Sequence, residues 1–533
     1  MAGTAMLTPQ QVKAAIRDTG ELALLDVREE RAFSDEGHLL FAAPAPLSRL
    51  ELVIDALVPR RATRVILVDR DGSLIDRAAA VLARAGYEDI AALAGGTRGW
   101  EAAGFEVFTG TNVPSKAFGE VVEVETGTPH ISAAEFAKLQ AEGADLVVLD
   151  SRPMVEFRDM SIPGGLDCPG AELVHRARQA APDPKTLVVV NCAGRTRSII
   201  GAQSLINAKL PNRVLALENG TMGWELAGLT LAHGETRTVP PPDPVNLDWA
   251  RSAAEDLARR AQVKRCNLAD LAAFRGETGR SLFVFDVRSP EEYLAGHMPG
   301  TRSAPGGQLV QSTDHYVGTL KSRIVLVDAE GVRALVTASW LTQLGWDDVY
   351  VLDGGNDGPL ETGPEPRRVC GLGALRPDWI DATSLRDQLA SGKAVVFDIG
   401  SSRAFRTGHI PGAWFVTRAR LADAVADHAG DATTIIVTAD DVALAMLGAA
   451  DLEGGSRRVR TLLGGNGAWR AAGGAEEKGT DRLLSQDDVW LAPAQFPPEE
   501  QVREKLRYIQ WELDLPEQIR RDGDARFRIL VPA

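Results

Sequence analysis

Val188-Val189-Val190-Asn191-Cys192-Ala193-Gly194-Arg195-Thr196-Arg197-Ser198 is the stretch on which the reading of this chain turns. The β-branched run predicts a buried strand. It delivers one cysteine to a short loop of Gly, Arg and Thr, and a helical pattern follows from Ile199 to Leu205. A thiol is thereby placed at the C-terminal end of a strand, facing the N-terminus of the next helix. Unpaired backbone N–H groups and the helix dipole favour a thiolate or a bound anion there. Arg195 and Arg197 add two positive charges. In such surroundings a cysteine pKa is expected to fall from about 8.5 into the range of roughly 3.5–7.5.

Working outward from this stretch, the same unit is written four times. A strand ends in an acidic turn at Leu24-Leu25-Asp26-Val27-Arg28, Val148-Leu149-Asp150-Ser151-Arg152, Val284-Phe285-Asp286-Val287-Arg288 and Val396-Phe397-Asp398-Ile399-Gly400. A second landmark reads Gly37-His38-Leu39, Ser161-Ile162-Pro163-Gly164-Gly165, Gly296-His297-Met298-Pro299-Gly300 and Gly408-His409-Ile410-Pro411-Gly412. Then come a β-branched strand and a glycine turn, with Trp100, Trp224 and Trp469 after three of the turns. The spacing is about one domain length, so the repeats are domains and not solenoid units. Thr8, Ser132, Asn267 and Thr383 read as caps of an opening helix, Ser132 with Glu135 as a capping box. Alternating strands and helices imply an α/β fold with a mainly parallel sheet covered on both faces, and ligands bind beyond the carboxyl ends of such strands.

The boundaries read as residues 1–115, 128–236, 262–366 and 378–474, followed by a tail over 475–533. A proline-rich linker at 239–244 precedes an amphipathic helix expected over 247–262. In the tail a short helix is expected over 499–513, with Val502, Leu506 and Ile509 on one face, packing back on a domain or on a partner chain.

Composition narrows the partners. The 533 residues carry a formal net charge of −15, which argues against nucleic-acid and anionic-membrane surfaces. The N-terminal residues show no signal-peptide pattern and no apolar run is long enough to span a membrane, so a cytoplasmic protein is expected. The four cysteines, Cys168, Cys192, Cys266 and Cys370, are widely spaced, without a disulfide framework or a zinc pattern. Neither a metal nor another cofactor is expected.

Asp-x-Arg, Gly-His-x-Pro-Gly, the strand-delivered cysteine loop and the Leu-x-Gly-Gly-x-x-x-Trp turn, in this order, resemble the rhodanese family over about residues 5–474, as four tandem rhodanese-like domains. The resemblance implies five parallel strands flanked by helices in each domain, and sulfurtransferase chemistry through a cysteine persulfide. Carried over residue by residue, it makes Cys192 the sulfur carrier and the second domain the catalytic one. The equivalent strand ends, Val68-Asp69, Val327-Asp328 and Val437-Thr438-Ala439, have no thiol, so domains one, three and four are expected to be inactive. The implied substrates are thiosulfate or a related small anionic donor, and a thiol or cyanide acceptor. The inactive first and active second domain resemble a two-domain rhodanese, with domains three and four as a second pair. Those domains or the tail are available for homo-oligomer contact.

The persulfide cycle needs a thiolate, a cradle of donors and an acceptor. Ala193, Gly194, Arg195, Thr196, Arg197 and Ser198 form the expected cradle, with Ser198 read as a helix cap. Arg197 stands five positions after Cys192, one fewer than in a cysteine-phosphatase loop, and the smaller loop suits sulfur better than phosphate. Arg152 has two readings, a pocket contact or an ion pair within its domain. Cys168 likewise reads as a resolving thiol or as a packed loop residue. The recurring Asp and His residues and the tryptophans read as structural. A non-enzymatic binding or regulatory scaffold of rhodanese-like domains is the alternative for the whole chain.

Overall fold

The computed structural model describes residues 3–485 and 488–531. Each of the four domains has five parallel strands of its own. In the second domain they lie in the order His130–Ile131, Val214–Leu217, Leu187–Asn191, Leu146–Asp150, Leu166–Asp167. The strand that delivers Cys192 is central, which explains its composition. Val188 and Val190 face one apolar layer with Leu205 and Ala216; Val189 faces the other, with Phe136, Leu215 and Trp224. A strand buried on both faces has no polar side, so it reads as an unbroken β-branched run.

The repeated landmarks are structural devices. Arg28, Arg152 and Arg288 each fork onto the strand-end aspartate two residues earlier. Each also donates to a carbonyl at the start of the second landmark: Gly37, Met160 and Gly296. Arg152 is therefore an ion-pair residue of its domain, with Asp150 at 2.8 Å. The fourth domain has Gly400 in place of the arginine. There Asp398 accepts from Gly400 N–H and Asn466, and burial pushes its carboxyl up to about 6. His38, His297 and His409 stack on Phe33, Tyr293 and Phe405 at 3.6–3.8 Å. Trp100, Trp224 and Trp469 are buried, with each indole N–H on a backbone carbonyl. The caps at Thr8, Ser132 and Asn267 form as expected. In the fourth domain the cap is Asp381, accepting from Ser384 N–H, and not Thr383: a carboxylate one residue before the helix Ala382–Ala390 takes the free donor first.

The chain forms two compact units, and their make-up differs from the expected pairing. One holds Leu22–Thr111 and Arg367–Leu491, the first domain with the fourth; the other holds Asn112–Pro366 and the tail from Ala492 onward. The reason within the second unit is a shared core. The helix Val332–Gln343 of the third domain is buried nearly all round, and its apolar residues join Leu173, Leu205 and Phe118 in one cluster. Trp340 donates to Ser204 across 2.8 Å. The expected helix over 247–262 runs Pro244–Arg260 and packs on the same helices. A further helix, Val113–Thr126, fills the gap left between the expected bounds of the first and second domains.

A buried ionic cluster joins the second and third domains. Arg333 bridges Glu172 at 3.0 Å and Asp328 at 2.9 Å, and His175 lies 3.1 Å from Glu172 and 2.5 Å from Glu330. Burial disfavours the imidazolium, but the two carboxylates outweigh it and hold His175 above its ordinary value. A group whose pKa is raised on folding stabilises the fold fully below its unfolded pKa, here 6.5, and loses that contribution as pH rises through the folded value. The stability gap between wild type and His175→Gln in denaturant melts is therefore expected to shrink between acidic and alkaline pH. An equal gap at both ends would show that His175 is not charged in the folded protein.

Candidate active site

The loop after Leu187–Asn191 is held by its own backbone. Cys192 O accepts from Thr221 N–H at 2.9 Å, and Ala193 O accepts from Met222 N–H at 3.1 Å. This contact needs Gly220, whose φ is +53° and whose missing Cβ would fall 2.2 Å from Cys192 O. The same capture recurs as Thr97 N–H on Asp69 O and Asn466 N–H on Ala439 O, with Gly96 and Gly465 as the glycines. Strand register agrees: Asp150 pairs Asn191, while Asp26 pairs Val68, Asp286 pairs Val327 and Asp398 pairs Thr438. The residues that stand where Cys192 stands are thus Asp69, Asp328 and Ala439.

Those siblings show what the loop binds. Asp69 accepts from the N–H groups of Gly72 and Leu74, and Asp328 accepts from Arg333 N–H at 2.8 Å. The first turn of the following helix offers its free donors to an anion carried by the strand end. In the second domain the sulfur of Cys192 takes that place. Its thiol donates to Ser198 Oγ at 3.5 Å, and the N–H of Ser198 supports a thiolate. Ser198 is not the helix cap: the helix is Thr196–Asn207, Arg195 holds the cap position, and the Ser198 hydroxyl donates to Arg195 O at 2.8 Å.

The expected low thiol pKa is overturned. Cys192 is 2% exposed, and burial pushes its thiol up despite the help of Arg197 and Ser198. The arginines explain the outcome. Arg197 is clamped by Glu156 through two bonds of 2.8 Å. Arg195 forks onto Glu120 at 2.9 Å and also binds Glu123. Each positive charge that the loop carries thus has a carboxylate already upon it, and Glu120 itself is pushed up to about 7 by burial. Thr196 Oγ1 points to Glu512 Oε1 at 3.3 Å. Gly194 packs under Tyr508, Glu512 and Met222, where a Cβ would find atoms 3.1–3.2 Å away. Cys168 is fully buried in the core, its thiol pushed well above the ordinary value, as a packed residue.

Two elements outside the second domain close this site. On Val113–Thr126, Gly119 passes so near the loop that a Cβ would lie 2.8 Å from Thr196, and Lys116, Glu120 and Glu123 face it. The tail helix is Pro498–Asp522, longer than expected, and its buried face is Lys505, Ile509, Glu512, Leu515, Ile519 and Asp522. Val502 and Leu506 of the expected face are 57% and 54% exposed. The apolar pattern misplaced the face because three of its inward residues are charged: Lys505 pairs Glu225 at 2.8 Å, Glu512 pairs Lys116 at 3.5 Å, and Asp522 is buried at the helix end. Among the described residues no group of three or more His, Cys, Asp or Glu is placed to hold a metal ion, and no helix is long and apolar enough to cross a membrane.

Comparison with known proteins agrees with this architecture. The model of the rhodanese-like domain matches residues 8–103, 132–227, 268–358 and 381–472. A crystal structure of thiosulfate sulfurtransferase from Pseudomonas aeruginosa is 45% identical, covers 99% of this chain and 100% of its own, and superposes with a TM-score of 0.94. The thiosulfate sulfurtransferase GlpE of Pseudoalteromonas translucida is 31% identical over 74 residues, 14% of this chain and 67% of that protein. The GlpE of Pseudomonas paraeruginosa is 33% identical over 72 residues, 14% of this chain and 64% of that protein. The chain thus spans about two thirds of the GlpE relatives' length.

The two arginines are expected to separate experimentally. Arg197 bears directly on the thiol, so Arg197→Ala should move the alkylation-rate profile of Cys192 further to alkaline pH. Arg195→Ala should leave that profile near wild type and loosen Val113–Thr126 instead. In wild type the rate should still be rising past pH 9.0. The check is alkylation of Cys192 against pH, followed by peptide mass; equal shifts in both variants would contradict the assignment.

Proposed function

The chain belongs to the rhodanese family and is a sulfurtransferase of the thiosulfate sulfurtransferase type, and we propose that it carries sulfane sulfur from thiosulfate or a related donor to a thiol or cyanide as a persulfide on Cys192. One observation carries the reading. The place that holds a carboxylate in domains one and three, against the free N–H groups of a helix start, holds a sulfur in the second domain. A cradle that suits an anion on the strand end suits both a thiolate and a terminal persulfide anion.

In the first half-reaction the Cys192 thiolate attacks the outer sulfur of thiosulfate. A Cys192 S–S bond forms, the donor S–S bond breaks, and sulfite leaves with its electron pair. In the second, cyanide or a thiolate attacks the terminal sulfur and leaves as thiocyanate or a persulfide, returning the Cys192 thiolate. The proton of the resting thiol goes to solvent before the first attack. Because burial raises this thiol, the first half-reaction gains with rising pH.

Domains one, three and four have no residue at the equivalent position that accepts sulfane sulfur: Asp69, Asp328 and Ala439 stand there. In this reading they are framework, the third domain through the core it shares with the second. In the same reading the chain acts in the cytoplasm.

Incubation with thiosulfate is expected to add the mass of one sulfur atom to the intact protein, with cyanide removing it. Cys192→Ala should abolish the adduct. Wild-type protein that gains no sulfur from any donor, or a Cys192→Ala variant that keeps turning over, would overturn the proposal.

A further inference from the structure

Glu512 occupies an unusual position for a carboxylate. It is 1% exposed and comes from the tail, more than three hundred residues beyond the loop it covers. Its Oε1 accepts from Thr196 Oγ1 at 3.3 Å and from Tyr508 OH at 3.0 Å, and lies 3.5 Å from Lys116 Nζ. Its Oε2 is buried with no hydrogen-bond partner, and it sits over Gly194 of the active loop, 3.2 Å from where a Cβ would be. Lys116 is buried beside it, over the rings of Tyr508 and Trp511 at 4.3 and 4.9 Å. The negative charge of Glu512 opposes the Cys192 thiolate, and burial pushes the Lys116 ammonium down while Glu512 and Cys192 favour its charged form.

The charges around the loop are close to balanced without any substrate. Arg195, Arg197 and Lys116 face Glu120, Glu123, Glu156 and Glu512. A dianion entering such a site meets no uncompensated cation and meets one carboxylate oxygen, Glu512 Oε2, that has no hydrogen-bond donor. We infer that Glu512 and Lys116 are specificity-determining residues that act as a charge filter over Cys192, favouring singly charged sulfane-sulfur donors over dianionic ones. Glu512 sets the penalty for each negative charge on the donor. Lys116 exchanges its carboxylate partner for the donor's anionic group. This rests on the reading of Cys192 as the sulfur carrier.

Two donors of nearly the same shape isolate the effect. Methanethiosulfonate differs from thiosulfate by a methyl group in place of one oxygen, and carries one negative charge instead of two. Its sulfane sulfur passes to the Cys192 thiolate in the same step, with methanesulfinate leaving on the electron pair. The quantity to read in the full-length protein is the ratio of kcat/KM for thiosulfate to that for methanethiosulfonate. Glu512→Gln keeps the shape and removes the charge, and is expected to raise this ratio about tenfold, since one charge at short range in a partly dry site is worth at least that much. Lys116→Met should lower it, and Lys116→Arg should restore most of it. A structural role alone would move both donors together and leave the ratio unchanged, which would overturn the filter while leaving the Cys192 persulfide standing. Failure of every variant and of wild type to take sulfur from either donor would instead overturn the reading of Cys192.

Discussion

The hydrogen bond from Thr221 N–H to the carbonyl of Cys192 is the contact on which the site depends. With the carbonyls of Cys192 and Ala193 turned toward the helix Gly220–Leu226, the loop is committed to one curl. That curl brings the sulfur to the first turn of Thr196–Asn207. A side chain at Gly220 would collide with the carbonyl that must be held. The same capture at Asp69 and Ala439 shows that it belongs to the fold and not to the chemistry. The fold makes a cradle at a strand end, filled by a carboxylate in the first and third domains and by a thiol in the second.

Burial then changes the character of that cradle. A thiol beside two arginines and a helix start would be acidic if water reached it and if the arginines were free. Neither condition holds. Glu156 clamps Arg197, and Glu120 and Glu123 hold Arg195. Tyr508 and Glu512 lie on the loop. The arginines therefore tie Met154–Asp159 and Val113–Thr126 to the active loop at least as much as they charge it. A loop charge predicts a local potential only when its partners are known, and these partners are as distant in sequence as Glu120 and Glu512.

Much of the fold was legible because it repeats. Four copies of a strand-end Asp and a β-branched run identify the sheets, and period and burial explain both. The thiol stood out by contrast with Asp69, Asp328 and Ala439. The linker helix Val113–Thr126 was not legible, since Lys116, Glu120 and Glu123 give its inner face the look of a solvated one. The tail helix was read on the wrong face for the same reason: Lys505 and Glu512 point inward, and Val502 and Leu506 outward. One signal was available. Lys505, Ile509, Glu512, Leu515 and Ile519 keep helical spacing, and charges of opposite sign on one stripe indicate a face that meets charged partners.

The sequence by itself determined the domain repeat, the parallel sheets, the strand that bears Cys192 and the loop that follows it, because hydrophobic period, turn glycines and the strand-end acid act over short spans of chain. Only the tertiary structure decided the rest: that the second domain shares its core with the third, that the loop arginines are neutralised, that the thiol is raised, and that the C-terminal helix brings Glu512 onto the site. These outcomes depend on which charged side chains meet after folding. Coulombic and desolvation energies depend on distance and burial in space, and local sequence carries neither.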